Sequence, residues 1–198
     1  MNIAIAKSAV LMASAVLVGG ALALAAAAQP KPAAGPLNYA ADGTLIVPAD
    51  FREWIFLSSG LDMTYGPAGP PPGQHSFDNV FVDPAAYRAF MGTGAWPDKT
   101  VMVLEIRNTA QDLSINKAGH VQTGVRAVEL HVKDQAKGGW AFYNVQANGQ
   151  VRRFPEKSAC HTCHEGSGAV DTTFVQFYPT LIPIAQKAGT MRPATETR

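Results

Sequence analysis

The sequence predicts an α+β fold with a mainly antiparallel β-sheet, short flanking helices and a CxxCH motif near the C-terminus. Segments rich in β-branched and aromatic residues follow one another, and no helical crossover separates the later ones. One of them, residues 124–133, alternates Val128, Leu130 and Val132 with polar residues, which is the pattern of a half-buried strand. We therefore expect consecutive strands to pair in one antiparallel sheet.

The N-terminal residues predict export. Residues 1–28 have the order of a secretory signal peptide: one lysine, an apolar run and small side chains before a cleavage site. A retained membrane anchor is the alternative. Residues 29–44 are expected to be a disordered lead-in, residues 45–190 one domain and residues 191–198 a tail. The expected location is the periplasm.

Composition bears on the partners. The formal net charge is +1, and the chain has no basic cluster. Nucleic acid is therefore not expected as a partner.

Helices are expected at both ends of the domain, before and after the strands of the sheet in the chain. Residues 50–60 begin with a capping box, and residues 83–92 have Asp at the N-cap, Pro at the first position and Gly at the exit. Residues 66–73 contain four Pro and three Gly and predict a loop. The strands are expected at 75–82, 100–107, 124–133 and 139–145. The cysteine motif is expected on a short helix, and residues 170–188 are expected to be partly helical, with Pro179 and Pro183 as breaks or kinks.

The two cysteines of the chain indicate its chemistry. Cys160 and Cys163 are three apart, and His164 follows. CxxCH is the attachment signature of c-type haem, in which the thiols bond to the haem and the histidine ligates the iron. Zinc would need further ligands, and a thioredoxin-like redox pair would need a βαβ context. The sequence therefore predicts one covalent haem c, and His161 within the motif is expected to be exposed.

Five segments of the chain carry a further signal: FREWIFLSSGL, FDNVFVDPAAYRAF, GAWPDKTVMVLEIR, VELHVKD followed by GGWAFYNV, and CHTCHEGSGAVDTTFVQFYPTL. Together they resemble the cytochrome P-460 family, which includes the β-type cytochromes c′. The resemblance runs from Leu45 to about Ala188. It implies one haem c on a mainly antiparallel β fold, a proximal histidine, an open distal face and a homodimer.

The resemblance also implies a choice between two branches of the family. Members that oxidise hydroxylamine carry a lysine cross-linked to the haem, whereas β-type cytochromes c′ lack it and bind nitric oxide and carbon monoxide. Leu104 stands at the matching position, and the nearest lysines, Lys99 and Lys117, are expected to be solvated.

We therefore expect a periplasmic haem protein with an open distal site that binds or redox-processes a small nitrogen oxide such as nitric oxide. One alternative is a hydroxylamine-oxidising enzyme that passes electrons to a soluble cytochrome. The other is a six-coordinate electron-transfer cytochrome.

Four further residues are candidates for the haem pocket. Phe77 and Leu104 are expected either to form an apolar lid on the distal face or to be ordinary core residues. Asp78 and Glu129 are candidate polar groups. Glu129 lies on the polar side of its strand, where it could accept a proton from a nitrogen substrate only if the haem lies against that side.

The sixth iron ligand and the partners of the haem propionates are less defined. No sixth ligand stands out among Met63, Met91, Met102, His75, His120 and His131. Arg107 or Arg126 is a candidate partner for a propionate, because guanidinium geometry suits a carboxylate.

Overall fold

The computed structural model describes residues 37–64 and 68–193. Within these ranges the α+β prediction is confirmed, with eight strands that are mainly in one antiparallel sheet and three short α-helices. The predicted signal peptide lies outside the described residues. No helix in the described ranges is long and apolar enough to cross a membrane.

Two antiparallel sheets follow the chain order. The small sheet pairs β1 (Asn38–Tyr39) with β2 (Leu45–Ile46). The main sheet has the order β3 (Ile55–Leu61), β4 (Ser76–Val82), β5 (Val101–Ala110), β6 (Val121–Asp134), β7 (Gly139–Val145) and β8 (Val151–Arg153). The helices are α1 (Pro84–Thr93), between β4 and β5, α2 (Ala159–Ser167) and α3 (Ile182–Ala188).

The four predicted strands are confirmed as β4 to β7, with small differences at their ends. The helix predicted at 50–60 is wrong: a 3-10 turn at Phe51–Glu53 is followed by β3. The side chain of Asp50 makes no capping hydrogen bond. β3 forms instead because its apolar residues pair with β4 at the edge of the main sheet, and such pairing overrides local helix signals. The expected disordered lead-in is also wrong at Asn38–Tyr39, which pairs with β2.

Local capping explains α1. The carboxylate of Asp83 accepts a hydrogen bond from the amide of Ala86 at 2.7 Å. The helix ends at Gly94, which has a φ of 70°, two residues after the predicted exit. In α3, Pro183 lies in the first turn, so it begins a helix rather than interrupting one.

The main sheet separates two hydrophobic cores. One face, which we call the helix face, packs Val82 and Met102 against residues of α1 and α3 such as Phe90. The opposite face, which we call the hairpin face, packs Val103 and Leu130 with residues of β2 and the 3-10 turn. Because side chains alternate along a strand, neighbouring residues such as Met102 and Val103 belong to different cores.

Candidate functional site

Helix α2 presents the cysteine motif. Cys163 follows Cys160 by three positions and His164 follows it by four, so the three side chains lie on one side of the helix. The Ser158 hydroxyl caps the helix by accepting from the amide of His161 at 3.5 Å. Both thiols are half-buried and form no disulfide. Burial raises the pKa of the Cys160 thiol, and the Glu129 carboxylate adds to that effect.

A cavity of about 530 Å³ lies between α2 and the helix face of the sheet. Cys163 and His164 form part of its wall. The rest of the wall is largely apolar and includes Val80, Met102, Leu104, Phe142, Phe174 and Phe177. A volume of this size and an apolar lining are typical of sites for cofactors.

His164 is held in one orientation at this wall. Its Nδ1 donates a hydrogen bond to the carbonyl oxygen of Thr172 at 2.7 Å. Its ring packs against Phe142 and Phe174, with ring centroids 4.4 and 4.3 Å apart. Burial lowers the pKa of His164, and the Thr172 carbonyl offsets part of that effect. The result is a neutral imidazole whose Nε2 carries the lone pair, which is the form that ligates iron.

His131 supports this arrangement from β6. Its Nε2 forms a hydrogen bond with the Thr172 hydroxyl at 3.1 Å, and its ring stacks on Phe142 at 4.1 Å. It also lies edge-on to His164 at 4.9 Å. Burial lowers the pKa of His131 well below its usual value, and the neighbouring His164 adds to that effect. The Nε2 of His131 is occupied by the Thr172 hydroxyl, so His131 is not a sixth ligand. It instead positions Thr172, whose carbonyl accepts the hydrogen bond from His164.

The strand register places two of the predicted pocket residues together. Val80 on β4 pairs with Leu104 on β5, which pairs with Glu129 on β6, and all three line the cavity. The cavity therefore lies against the polar side of β6. This is the arrangement that Glu129 needs if it is to accept a proton from a substrate in the pocket. Burial raises the pKa of this carboxyl.

Phe77 does not line the cavity, which corrects the expectation that it forms part of a distal lid. It precedes Asp78 on β4, and alternation turns its side chain to the hairpin face, so it is not part of the cavity wall. Asp78 does line the cavity. Burial and the nearby Glu129 raise the pKa of Asp78 to about 6. The apolar cavity therefore contains two carboxyl groups with raised pKa values.

The lysines nearest to Leu104 lie elsewhere. Lys99 forms an ion pair with Asp134, and Lys117 pairs with Asp112 at 2.7 Å. Among the described residues, no lysine belongs to the cavity wall. At the position that matches the cross-linking lysine, the cavity wall has the apolar Leu104.

His161 is buried, so the expectation that it is exposed is wrong. Only 7% of its surface is accessible, and its ring packs edge-on against Phe142 at 4.7 Å. Its Nε2 has no hydrogen-bond partner in the described part of the chain. The burial arises because α2 packs against β7, a contact that the motif itself does not reveal.

The remaining candidates for a sixth ligand are dispersed. Met63 is half-exposed at the cavity, and Met102 is buried in the core of the helix face. Met91, His75 and His120 are not part of the cavity wall. Thr172 is not predicted as a site residue from the sequence, and its only signal is its place in the last of the five resembling segments.

One comparison with known proteins identifies a family. A family model described as Cytochrome P460 matches residues 48–175, which is more than half of the chain. The matched region includes the cysteine motif, Leu104, Glu129 and Thr172. No curated protein matches the chain.

Proposed function

Because the chain belongs to the cytochrome P460 family, whose members bind haem c covalently, we propose that Cys160 and Cys163 carry the thioether links and that His164 ligates the iron. The observation that carries this proposal is the orientation of His164. Its Nδ1 donates to the Thr172 carbonyl at 2.7 Å, which leaves Nε2 for the metal. A hydrogen bond from the second ring nitrogen is the usual partner of a ligating histidine.

The proposed activity is the binding or redox processing of a small nitrogen oxide such as nitric oxide. When bound, the haem supplies an iron centre that binds a diatomic ligand and exchanges electrons with it. Leu104 and Val80 contribute apolar surface that excludes water. An apolar pocket of this kind admits a small neutral ligand more readily than a hydrated ion.

The second candidate is the oxidation of hydroxylamine, and Glu129 is the observation that favours it. The Glu129 carboxyl lies in the cavity wall, and burial raises its pKa. A carboxylate with a raised pKa accepts a proton from a substrate more readily near neutral pH. Electrons from this reaction would pass to a soluble cytochrome. For both functions we propose a periplasmic location, on the basis of residues 1–28.

The first experiment tests the haem. The full chain is produced in a bacterium that attaches c-type haem, and its intact mass is measured. We expect the mass of one haem in the wild type and none when Cys160→Ala and Cys163→Ala are combined. His164→Ala should keep the haem mass but change the optical spectrum, whereas His120→Ala, outside the cavity, should change neither. A wild-type chain without the haem mass would refute the assignment.

The optical spectrum then separates the functions. We expect the ferrous protein to bind carbon monoxide and nitric oxide, without the red-shifted band of a cross-linked haem. A low-spin spectrum that does not respond to carbon monoxide would indicate an electron carrier instead. Reduction of a cytochrome that depends on hydroxylamine, and that Glu129→Gln abolishes, would establish the second candidate.

A further inference from the structure

A second pocket, of about 370 Å³, lies beside the cavity. Asn108 forms part of its wall and pairs with Ser76 across β5 and β4. The neighbouring pair on the same face of the sheet is Ile106 with Asp78, and Asp78 lines the cavity. Residues on one face of a strand are about 7 Å apart, so the second pocket is the next site along the sheet.

The second pocket collects polar side chains that lack internal partners. Its wall is formed by Gly73, Gln74, His75, Asn108, Thr109 and Arg126. Within residues 37–64 and 68–193, four of these side chains form no hydrogen bond with another residue: Gln74, Asn108, Thr109 and Arg126. Isolated polar side chains on a surface are usually solvated. Here they converge on one volume, whose wall contains a guanidinium group and, among the described residues, no acidic side chain.

A β-bulge places Arg126 in this pocket. Ile106 pairs with Ala127 and the next residue, Arg107, pairs with Val125, so Arg126 is an extra residue on β6. A bulge breaks the alternation of side chains and redirects the residue that it inserts. Burial is the main cause of the raised pKa of Asp78, and the charge of Arg126 acts in the opposite direction. Arg126 is therefore close enough to the cavity to influence its carboxyl group, although it forms no ion pair in the described structure.

Arg107, the neighbouring arginine on β5, already has hydrogen-bond partners and is not available to bind an anion. Arg107 Nε donates to Glu105 Oε2 at 2.6 Å, and its Nη1 donates to the carbonyl of Thr123 at 2.8 Å. His75, in the second pocket, is also engaged at one ring nitrogen, because its Nδ1 lies 2.7 Å from a carboxylate oxygen of Asp62. The Nε2 of His75 is therefore the ring nitrogen that remains for another partner.

We propose that the second pocket binds a small oxyanion and that Arg126 is its principal ligand. The two parallel N–H groups of a guanidinium match the two oxygens of a carboxylate or of nitrite. The amides of Gln74 and Asn108 and the hydroxyl of Thr109 supply further donors. The oxyanion has two possible sources: a free nitrogen oxyanion such as nitrite, which rests on the proposed nitrogen-oxide function, or a propionate of the haem itself.

The test uses the haem-loaded protein and sodium nitrite. Nitrite binding to the ferric protein is measured by calorimetry and by absorption, because binding at the iron changes the haem spectrum and binding in the second pocket does not. The reduction potential is measured on the same samples. The variants are Arg126→Gln, the charge-conserving Arg126→Lys, and Asn108→Ala. Lys187→Gln is the control for loss of one positive charge, because Lys187 is an exposed residue of α3.

Either of two outcomes supports the proposal. Nitrite binding without a spectral change, weakened about tenfold or more by Arg126→Gln and partly restored in Arg126→Lys, would identify the free anion. If nitrite does not bind in the second pocket, a reduction potential that is lowered by Arg126→Gln, only partly restored in Arg126→Lys and unchanged in Lys187→Gln would identify the propionate. A potential that Arg126→Lys restores in full reflects the nearby charge alone and, without nitrite binding, overturns the proposal. The proposal is overturned if neither nitrite binding nor the potential depends on Arg126. Carbon monoxide binding to the same samples tests the proposed function separately.

Discussion

Gly168 stands where α2 ends and the chain turns towards the residue that holds His164. Its amide donates to the His164 carbonyl at 2.9 Å. A Cβ at this position would lie 2.7 Å from the His164 carbonyl oxygen, 2.8 Å from the carbonyl carbon of Thr172 and 2.9 Å from the amide nitrogen of Thr173. All three are backbone atoms, so a side-chain rotation cannot relieve the contact. Gly168→Ala should therefore displace the segment that carries the Thr172 carbonyl.

The magnitude follows from these distances. Ordinary contacts between heavy atoms begin at about 3.5 Å, so the backbone must open by roughly half an ångström or more. Overpacking of this kind costs about 1–3 kcal/mol. Lengthening the hydrogen bond from His164 Nδ1 to the Thr172 carbonyl adds about 0.5–1.5 kcal/mol to this cost. Together they correspond to a decrease in Tm of about 5–15 °C for a domain of this size.

The measurement is thermal unfolding of the haem-loaded protein, followed by circular dichroism. Gly166→Ala is the matched control, because it lies in the same helix and a Cβ there would meet nothing within 4 Å. Alanine is favoured over glycine in a helix by about 0.5–1 kcal/mol, so the control should be slightly stabilised. If the two variants unfold within about 2 °C of each other, the close approach at Gly168 is wrong.

Three further substitutions test buried polar groups: Trp96 and Trp140 belong to the core of the helix face, and Glu105 lies on the hairpin face. Trp96→Phe removes a buried hydrogen bond from Nε1 to the Thr173 hydroxyl, 2.9 Å long, and should lower the free energy of unfolding by about 1–3 kcal/mol. Trp140→Phe should cost less, because the buried Nε1 of Trp140 has no partner in the described residues; equal losses in urea unfolding would contradict this. Burial raises the pKa of Glu105, but its two arginine partners outweigh burial, so the pKa in the folded protein lies below the usual 4.5. Its contribution to stability is therefore present above pH 4.5 and lost as the pH falls through the folded pKa. Glu105→Gln should flatten the decrease in the free energy of unfolding below about pH 4.5, and an unchanged slope would show that the arginines do not hold the charge.

Some elements were predictable because their causes lie within a few residues. Asp83 caps α1 three residues away, and the alternation over 124–133 corresponds to β6. The helix expected at 50–60 failed for the opposite reason. Its capping signal was local and weak, whereas the pairing of β3 with β4 involves residues about twenty positions away in the chain.

The candidate site shows the same difference between what the sequence predicts and what the pairing of strands decides. Leu104 and Glu129 were identified from the sequence, but the pairing of β5 with β6 brings them side by side. Phe77 and Asp78 were both candidates, and one step of alternation separates their side chains onto opposite faces of the sheet. Sequence patterns show that a strand has two faces, but they do not show which face a cofactor pocket occupies.

The sequence by itself determined the spacing of Cys160, Cys163 and His164, the order of the four strands β4 to β7 and the apolar residue at position 104. These depend on covalent order and on the periodicity of short segments. Only the tertiary structure decided that Thr172 orients His164, that His161 is buried and that a bulge directs Arg126 towards a second pocket. The reason is physical: each of these depends on how α2 and the later segments pack on the sheet, and packing joins residues whose distance along the chain carries no signal.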